Sequence, residues 1–117
     1  MPFNGLSVLL GASTAELMAQ PDSRALVAAL MDEVIAAARA AGARLPEDYT
    51  QKLMAYTERM PAYLPSMYHD FAQGRPAELE AIYAAPLAAA EALGVAMPQV
   101  RMLYRALCFL AARQASG

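Results

Sequence analysis

Alanine supplies about a quarter of this 117-residue chain, while Val, Ile and Thr are scarce. Alanine has the highest helix propensity and β-branched side chains are the usual material of strands, so an all-α fold with no strand is expected. Proline and glycine divide the chain. A first helix is predicted from about Asn4 to Gln20, loosened at Gly11, and a second after Pro21-Asp22-Ser23, where Asp22 or Ser23 can cap, ending at Gly42. In the second, Leu26, Leu30 and Val34 with Val27, Met31, Ile35 and Ala38 recur at helical spacing and predict a broad buried face. Arg24, Asp32 and Arg39 are left to water.

A third helix starts near Pro46-Glu47-Asp48, with acids in its first turn where the helix dipole favours them, carries Tyr49, Leu53, Tyr56 and Met60, and stops at Pro61. A short fourth helix runs from about Ser66 to Gln73 and closes on Gly74. The fifth spans about Pro76 to Leu93, with a kink at Pro86, whose ring removes one backbone hydrogen bond. Pro98 opens a sixth with the stripe Val100, Leu103, Leu107 and Leu110, fraying from Ala115. The expectation is a single helical domain over residues 1–117, a bundle of six or seven helices. That length does not accommodate a nucleotide-binding domain as well.

Composition excludes several functions. Nine Lys and Arg spread thinly at net charge −2 give no basic stripe for nucleic acid or an anionic membrane. The longest apolar stretches, such as Ala81 to Ala90, are interrupted by Tyr83 and Pro86, far short of a bilayer span. Residues Met1 to Leu10 lack the basic start and cleavage site of a secretory signal, and the lone Cys108 can form no internal disulfide, so a reducing cytoplasm is expected. A hydrophobic fraction of 58% against 17% charge leaves some apolar surface to meet a partner, and a homodimer is expected.

Most catalytic constellations are missing. There is no Gly-x-Gly-x-x-Gly, phosphate loop or Cys-x-x-Cys, and one His makes no multi-His metal site, so neither a metal nor a cofactor is expected to bind this chain alone. His69 and Asp70 are neighbours that point about 100° apart on a helix, which suits an ordinary histidine better than an acid–base pair. Cys108, among Leu107, Phe109 and Leu110, reads as an inert core thiol. The eight methionines read as gap-filling core residues and the tyrosines as core-edge residues.

One constellation rises above this background: Ser66-Met67-Tyr68-His69-Asp70-Phe71, then Gly74-Arg75-Pro76-Ala77-Glu78-Leu79-Glu80, with Ser66 and Glu78 twelve residues apart. Taken alone, Ser66 could be a helix cap and Glu78 a first-turn acid. The stretch resembles the Ser-Ser-Met-x-x-Asp and Thr-Glu-Ile-Asp elements of ketopantoate reductases. The resemblance extends through Asn4-Gly5-Leu6-Ser7, Glu16-Leu17, Met31-Asp32-Glu33-Val34, Leu45-Pro46, Leu93-Gly94-Val95-Ala96-Met97-Pro98 and Leu103-Tyr104.

It implies the helical C-terminal domain shared with 6-phosphogluconate dehydrogenase-like enzymes, the substrate side of an NADP-dependent 2-dehydropantoate 2-reductase of pantothenate biosynthesis. In such enzymes NADPH reduces the keto acid in a cleft between this domain and a Rossmann domain. It further implies Ser66 on the substrate carboxylate, Glu78 as the catalytic carboxylate on the hydroxyl side, and Asn4 lining the cleft. Ser66 at a helix N-terminus suits an anion. The family's general-acid lysine falls eight residues before the position of Asn4, outside these residues. Reduction of a ketone leaves an alkoxide that needs such a donor, so the chain by itself is expected to be inactive. Departures are Tyr63 for an asparagine, Thr14 for a polar asparagine of some members, and Tyr83-Ala84 for the usual Asn-Gly. They favour an alternative, a stand-alone helical module that kept the fold for dimerisation or ligand binding.

Overall fold

A computed structural model describes residues 2–62, 64–75 and 78–116. The described residues form seven α-helices and one π-helical turn, without a strand: α1 Pro2–Leu10, α2 Thr14–Ala19, α3 Pro21–Ala40, α4 Tyr49–Glu58, α5 Ser66–Ala72, the π turn Glu80–Ala84, α6 Ala85–Ala92 and α7 Pro98–Ser116. The all-α expectation holds, and none of these helices is long and apolar enough to cross a membrane.

The single helix expected from Asn4 to Gln20 is two helices. Gly11 adopts φ 63°, a left-handed conformation that ends α1. Ser13 then opens α2 with a reciprocal cap: its Oγ accepts from the Glu16 amide at 3.3 Å, and Glu16 Oε1 accepts from the Ser13 amide at 3.1 Å. The cap of α3 is also not the expected one. Pro21 fills the first helical position, and Gln20 Oε1 accepts from the amides of Asp22 at 2.6 Å and Ser23 at 3.0 Å. Ser23 Oγ instead donates to the Leu17 carbonyl at 2.6 Å, tying α3 back to α2.

The buried face of α3 is Val27, Leu30, Met31 and Ile35, as its spacing predicts, but Leu26 lies on its margin at 38% exposure. In α4 the inward residues are Thr50 and Met54 rather than Tyr56 or Met60, and Tyr56 is 59% exposed. Thr50 Oγ1 donates to Asp32 Oδ1 at 2.5 Å, which orients α4 on α3. The acids Glu47 and Asp48 precede α4 instead of entering its first turn.

Pro86 has no amide to give the preceding turn. The chain meets this with a π-helical turn in place of a simple kink: the Ala85 amide donates to the Glu80 carbonyl, and α6 restarts with Pro86 in its first turn. In α7 Val100, Leu103 and Leu107 are buried and Leu110 packs at the core margin, as expected. Leu6, Leu17, Val27, Met67 and Tyr83 meet this stripe from the other helices. Met18, Met31, Met54, Met67 and Met97 fill the same core, whereas Met60 and Met102 face solvent.

Candidate functional site

Helix α1 lies along α5. Val8 and Gly11, in the last turn of α1 and just past it, line one cleft with Tyr68, Phe71 and Ala72 of α5. Asn4 lies in the first turn of α1 and Ser66 in the first turn of α5. The π turn meets α1, because Tyr83 sits against Gly5, the residue after Asn4. Glu78 lies just ahead of this turn, and its carbonyl accepts from the Ile82 amide at 3.0 Å. The three candidate residues thus sit at three separate elements.

Asn4 is half-buried, while Ser66 and Glu78 are exposed. Ser66 occupies the first helical position and Pro65 the cap, so Ser66 is not itself the capping residue. The Tyr68 amide is already used by the Pro65 carbonyl at 2.9 Å. The cleft between α1, α5 and α7, lined by Val8, Tyr68, Phe71, Arg113 and Gln114, includes none of the three candidates. Tyr63 lies outside the described residues, as do Pro76 and Ala77. Thr14 is buried in the first turn of α2.

His69 is exposed and meets the Tyr68 ring edge-on at 5.9 Å, and Asp70 pairs with Arg75 at 3.2 Å rather than with His69. The described residues hold no group of three His, Cys, Asp or Glu side chains placed for a metal. Cys108 is not a core thiol. It is partly exposed, one turn along from Tyr104, and a hydrogen bond between the two raises the phenol's pKa, with the Cys108 and Glu80 charges and burial adding to the effect.

The Tyr83–Gly5 contact is the site feature that sequence reasoning missed. Tyr83 is fully buried, its ring stacks on Tyr104 at 6.3 Å and 23°, and its hydroxyl lies against Gly5. A Cβ on residue 5 would stand 2.4 Å from that hydroxyl. A glycine inside an otherwise good helix former costs about 1 kcal/mol, and that cost was the available hint of a close approach.

An all-helical domain whose described residues form seven α-helices, with a π turn just before Pro86, defines the class by its fold: the helical C-terminal domain of the ketopantoate reductases. The chain belongs to the ketopantoate reductase family, since the profile described as "Ketopantoate reductase PanE/ApbA C terminal" matches residues 1–111. A 2-dehydropantoate 2-reductase of Nostoc sp. (strain PCC 7120) is 44% identical over the whole chain, which spans 37% of that relative. Among solved structures, 2-dehydropantoate 2-reductase from Methylococcus capsulatus superposes with TM-score 0.88 at 37% identity, over 97% of this chain and 36% of that one. The dimeric ketopantoate reductase from Staphylococcus aureus shares the fold at TM-score 0.85 and 24% identity, over 97% of this chain and 40% of that one. The chain thus spans little more than a third of these relatives' length.

The described residues do not fit NADPH. The glycines at positive φ, Gly11, Gly42, Gly74 and Gly94, stand singly in the turns that follow helices. A dinucleotide pyrophosphate needs consecutive free amides leading into a helix N-terminus.

Proposed function

We propose that residues 1–117 act as one helical substrate-side domain of an NADP-dependent 2-dehydropantoate 2-reductase, binding and orienting ketopantoate. The observation that carries this reading is the family membership of an all-helical chain that has Asn4, Ser66 and Glu78 at three separate elements. Ser66 holds the substrate carboxylate, Glu78 contacts its hydroxyl side as the catalytic carboxylate, and Asn4 lines the pocket. NADPH is held by residues outside this domain, in a Rossmann domain. By itself the chain binds the keto acid weakly and does not reduce it, because a half-cleft leaves much of the ligand in water.

A homodimer is part of the same reading. The S. aureus ketopantoate reductase of this fold is dimeric, and here Leu9, Leu26, Met102 and Phe109 expose apolar side chains from α1, α3 and α7. The cytoplasm is the compartment that suits the unpaired Cys108.

The coding sequence upstream of the Met1 codon tests the two-domain assignment. The reading expects a strand–glycine loop–helix fingerprint there, and a lysine eight residues before Asn4. An in-frame stop directly upstream would contradict it and favour a stand-alone helical module.

A further inference from the structure

The cleft framed by α1, α5 and α7 continues into a second one. The first has a volume of about 320 Å3 and the second about 530 Å3, and because Phe71, Ala72 and Gln114 line both, the two run together as one groove. Sites for small molecules commonly measure about 300–1,000 Å3. Asn4, Ser66 and Glu78 line neither part, so the groove stands apart from the substrate-side reading.

Its walls are apolar at Phe71, Leu110 and Ala111, and each part carries one guanidinium, Arg113 in the first and Arg75 in the second. Arg75 is balanced, since Asp70 meets its Nε at 3.2 Å. Arg113 has no carboxylate partner among the described residues. Its guanidinium lies over the Phe109 ring at 5.5 Å, which steadies the side chain without neutralising its charge. The chain as a whole is acidic at net charge −2, yet the three framing helices hold a single carboxylate, Asp70, whereas α7 holds Arg101, Arg105 and Arg113. With Asp70 spent on Arg75, the lining of the groove keeps one unbalanced positive charge.

The carbonyl end of α5 does not cancel it. The Phe71 carbonyl accepts from Gln114 Nε2 at 2.6 Å and from the Gly74 amide at 3.2 Å, and the Asp70 carbonyl accepts from the Arg75 amide at 2.8 Å. Acceptors that a helix end would otherwise leave open are therefore in use. The same bond holds the Gln114 side chain in place where the two clefts join.

We propose that this groove binds a small organic monoanion with an elongated apolar body, its carboxylate on Arg113 and its body along Phe71 and Leu110. One unbalanced cation calls for one negative charge, and a guanidinium matches a carboxylate with two parallel donors. A bare inorganic anion would leave the apolar walls wet, and a neutral ligand would leave Arg113 unanswered.

Titration of the 15N-labelled chain with 3-phenylpropionate, and with 3-phenylpropan-1-ol as its uncharged counterpart, tests this. The acid is expected to give saturable shifts at Tyr68, Phe71 and the Gln114 side-chain amide, with a dissociation constant on the order of millimolar, as suits an open groove. The alcohol should bind about tenfold more weakly, and so should the acid to Arg113→Gln, the loss that fits one charge-assisted pair. Arg75→Gln, at a guanidinium already balanced, should weaken the acid less than about threefold. Both side chains are exposed, so both variants should keep the far-UV circular dichroism of the wild type. Equal binding of acid and alcohol would overturn the proposal and leave an apolar groove only. So would shifts that do not saturate, an unchanged affinity in Arg113→Gln, or shifts confined to Asn4, Ser66 and Glu78.

Discussion

Glu33, in the middle of α3, accepts hydrogen bonds from the first free amides of α7: Gln99 at 2.9 and 3.1 Å and Val100 at 3.0 Å. Pro98 has no amide, so these are the donors that the helix start leaves open. A carboxylate there also faces the positive end of the dipole. Glu33→Ala should therefore cost about 1–3 kcal/mol of stability, and Glu33→Gln, which keeps an acceptor, clearly less. Urea unfolding of the two variants checks this; equal stabilities for wild type and Glu33→Ala would show that the clasp contributes nothing.

Gly5→Ala should destabilise the chain although alanine is the better helix former. The gain of about 1 kcal/mol in propensity is opposed by a Cβ that would stand 2.4 Å from the Tyr83 hydroxyl and 2.8 Å from Leu103. Overpacking of this kind costs about 1–3 kcal/mol, so a net loss is expected in denaturant titration. In the double variant Gly5→Ala with Tyr83→Phe, part of that loss should return.

Alkaline pH should act through Tyr83. Its folded pKa is raised above the ordinary value of 10.0 by burial, so above that pH the unfolded chain releases a proton that the folded chain keeps. Stability is full below about pH 10 and falls as pH rises further. Thermal melts between pH 8 and pH 11 should show this decline, and Tyr83→Phe should flatten it. A variant with the same alkaline slope as the wild type would assign the effect to other groups.

Much of this was legible in the sequence, for reasons that individual residues make plain. The buried stripe of α7 follows directly from the spacing of Val100, Leu103 and Leu107, since a long amphipathic helix has only one face to bury. The break of the first helix was signalled by Ser13 and Glu16, a reciprocal cap three residues apart, but the run of good helix formers around Gly11 outweighed it. In α4 the inward face, Thr50 and Met54, is set by the bond from Thr50 to Asp32, a tertiary contact that the spacing of the tyrosines does not encode. Of the candidate site, Asn4, Ser66 and Glu78 come from the resemblance, whereas the Tyr83–Gly5 contact is a tertiary approach that the local signal of Pro86 does not specify.

A homodimer is the expected outcome of what the bundle leaves uncovered. Met102 is 66% and Phe109 63% exposed, both on α7, with Leu9 and Leu26 exposed on α1 and α3. Apolar burial at about 25 cal/mol per Å2 favours pairing of such surface, less the cost of association. Light scattering at tens of micromolar should report a dimer, and Met102→Lys should shift it toward monomer. A clean wild-type monomer would contradict the homodimer.

The most direct test of the substrate-side assignment is a titration of the 15N-labelled chain with ketopantoate, followed by the same titration of Ser66→Ala. The account predicts saturable shifts clustered at Asn4, Ser66 and Glu78, with a dissociation constant on the order of millimolar, as suits an open half-cleft, and a loss of most of that response in Ser66→Ala. Shifts confined to the cleft of Tyr68, Arg113 and Gln114, or an unchanged response in Ser66→Ala, would contradict it.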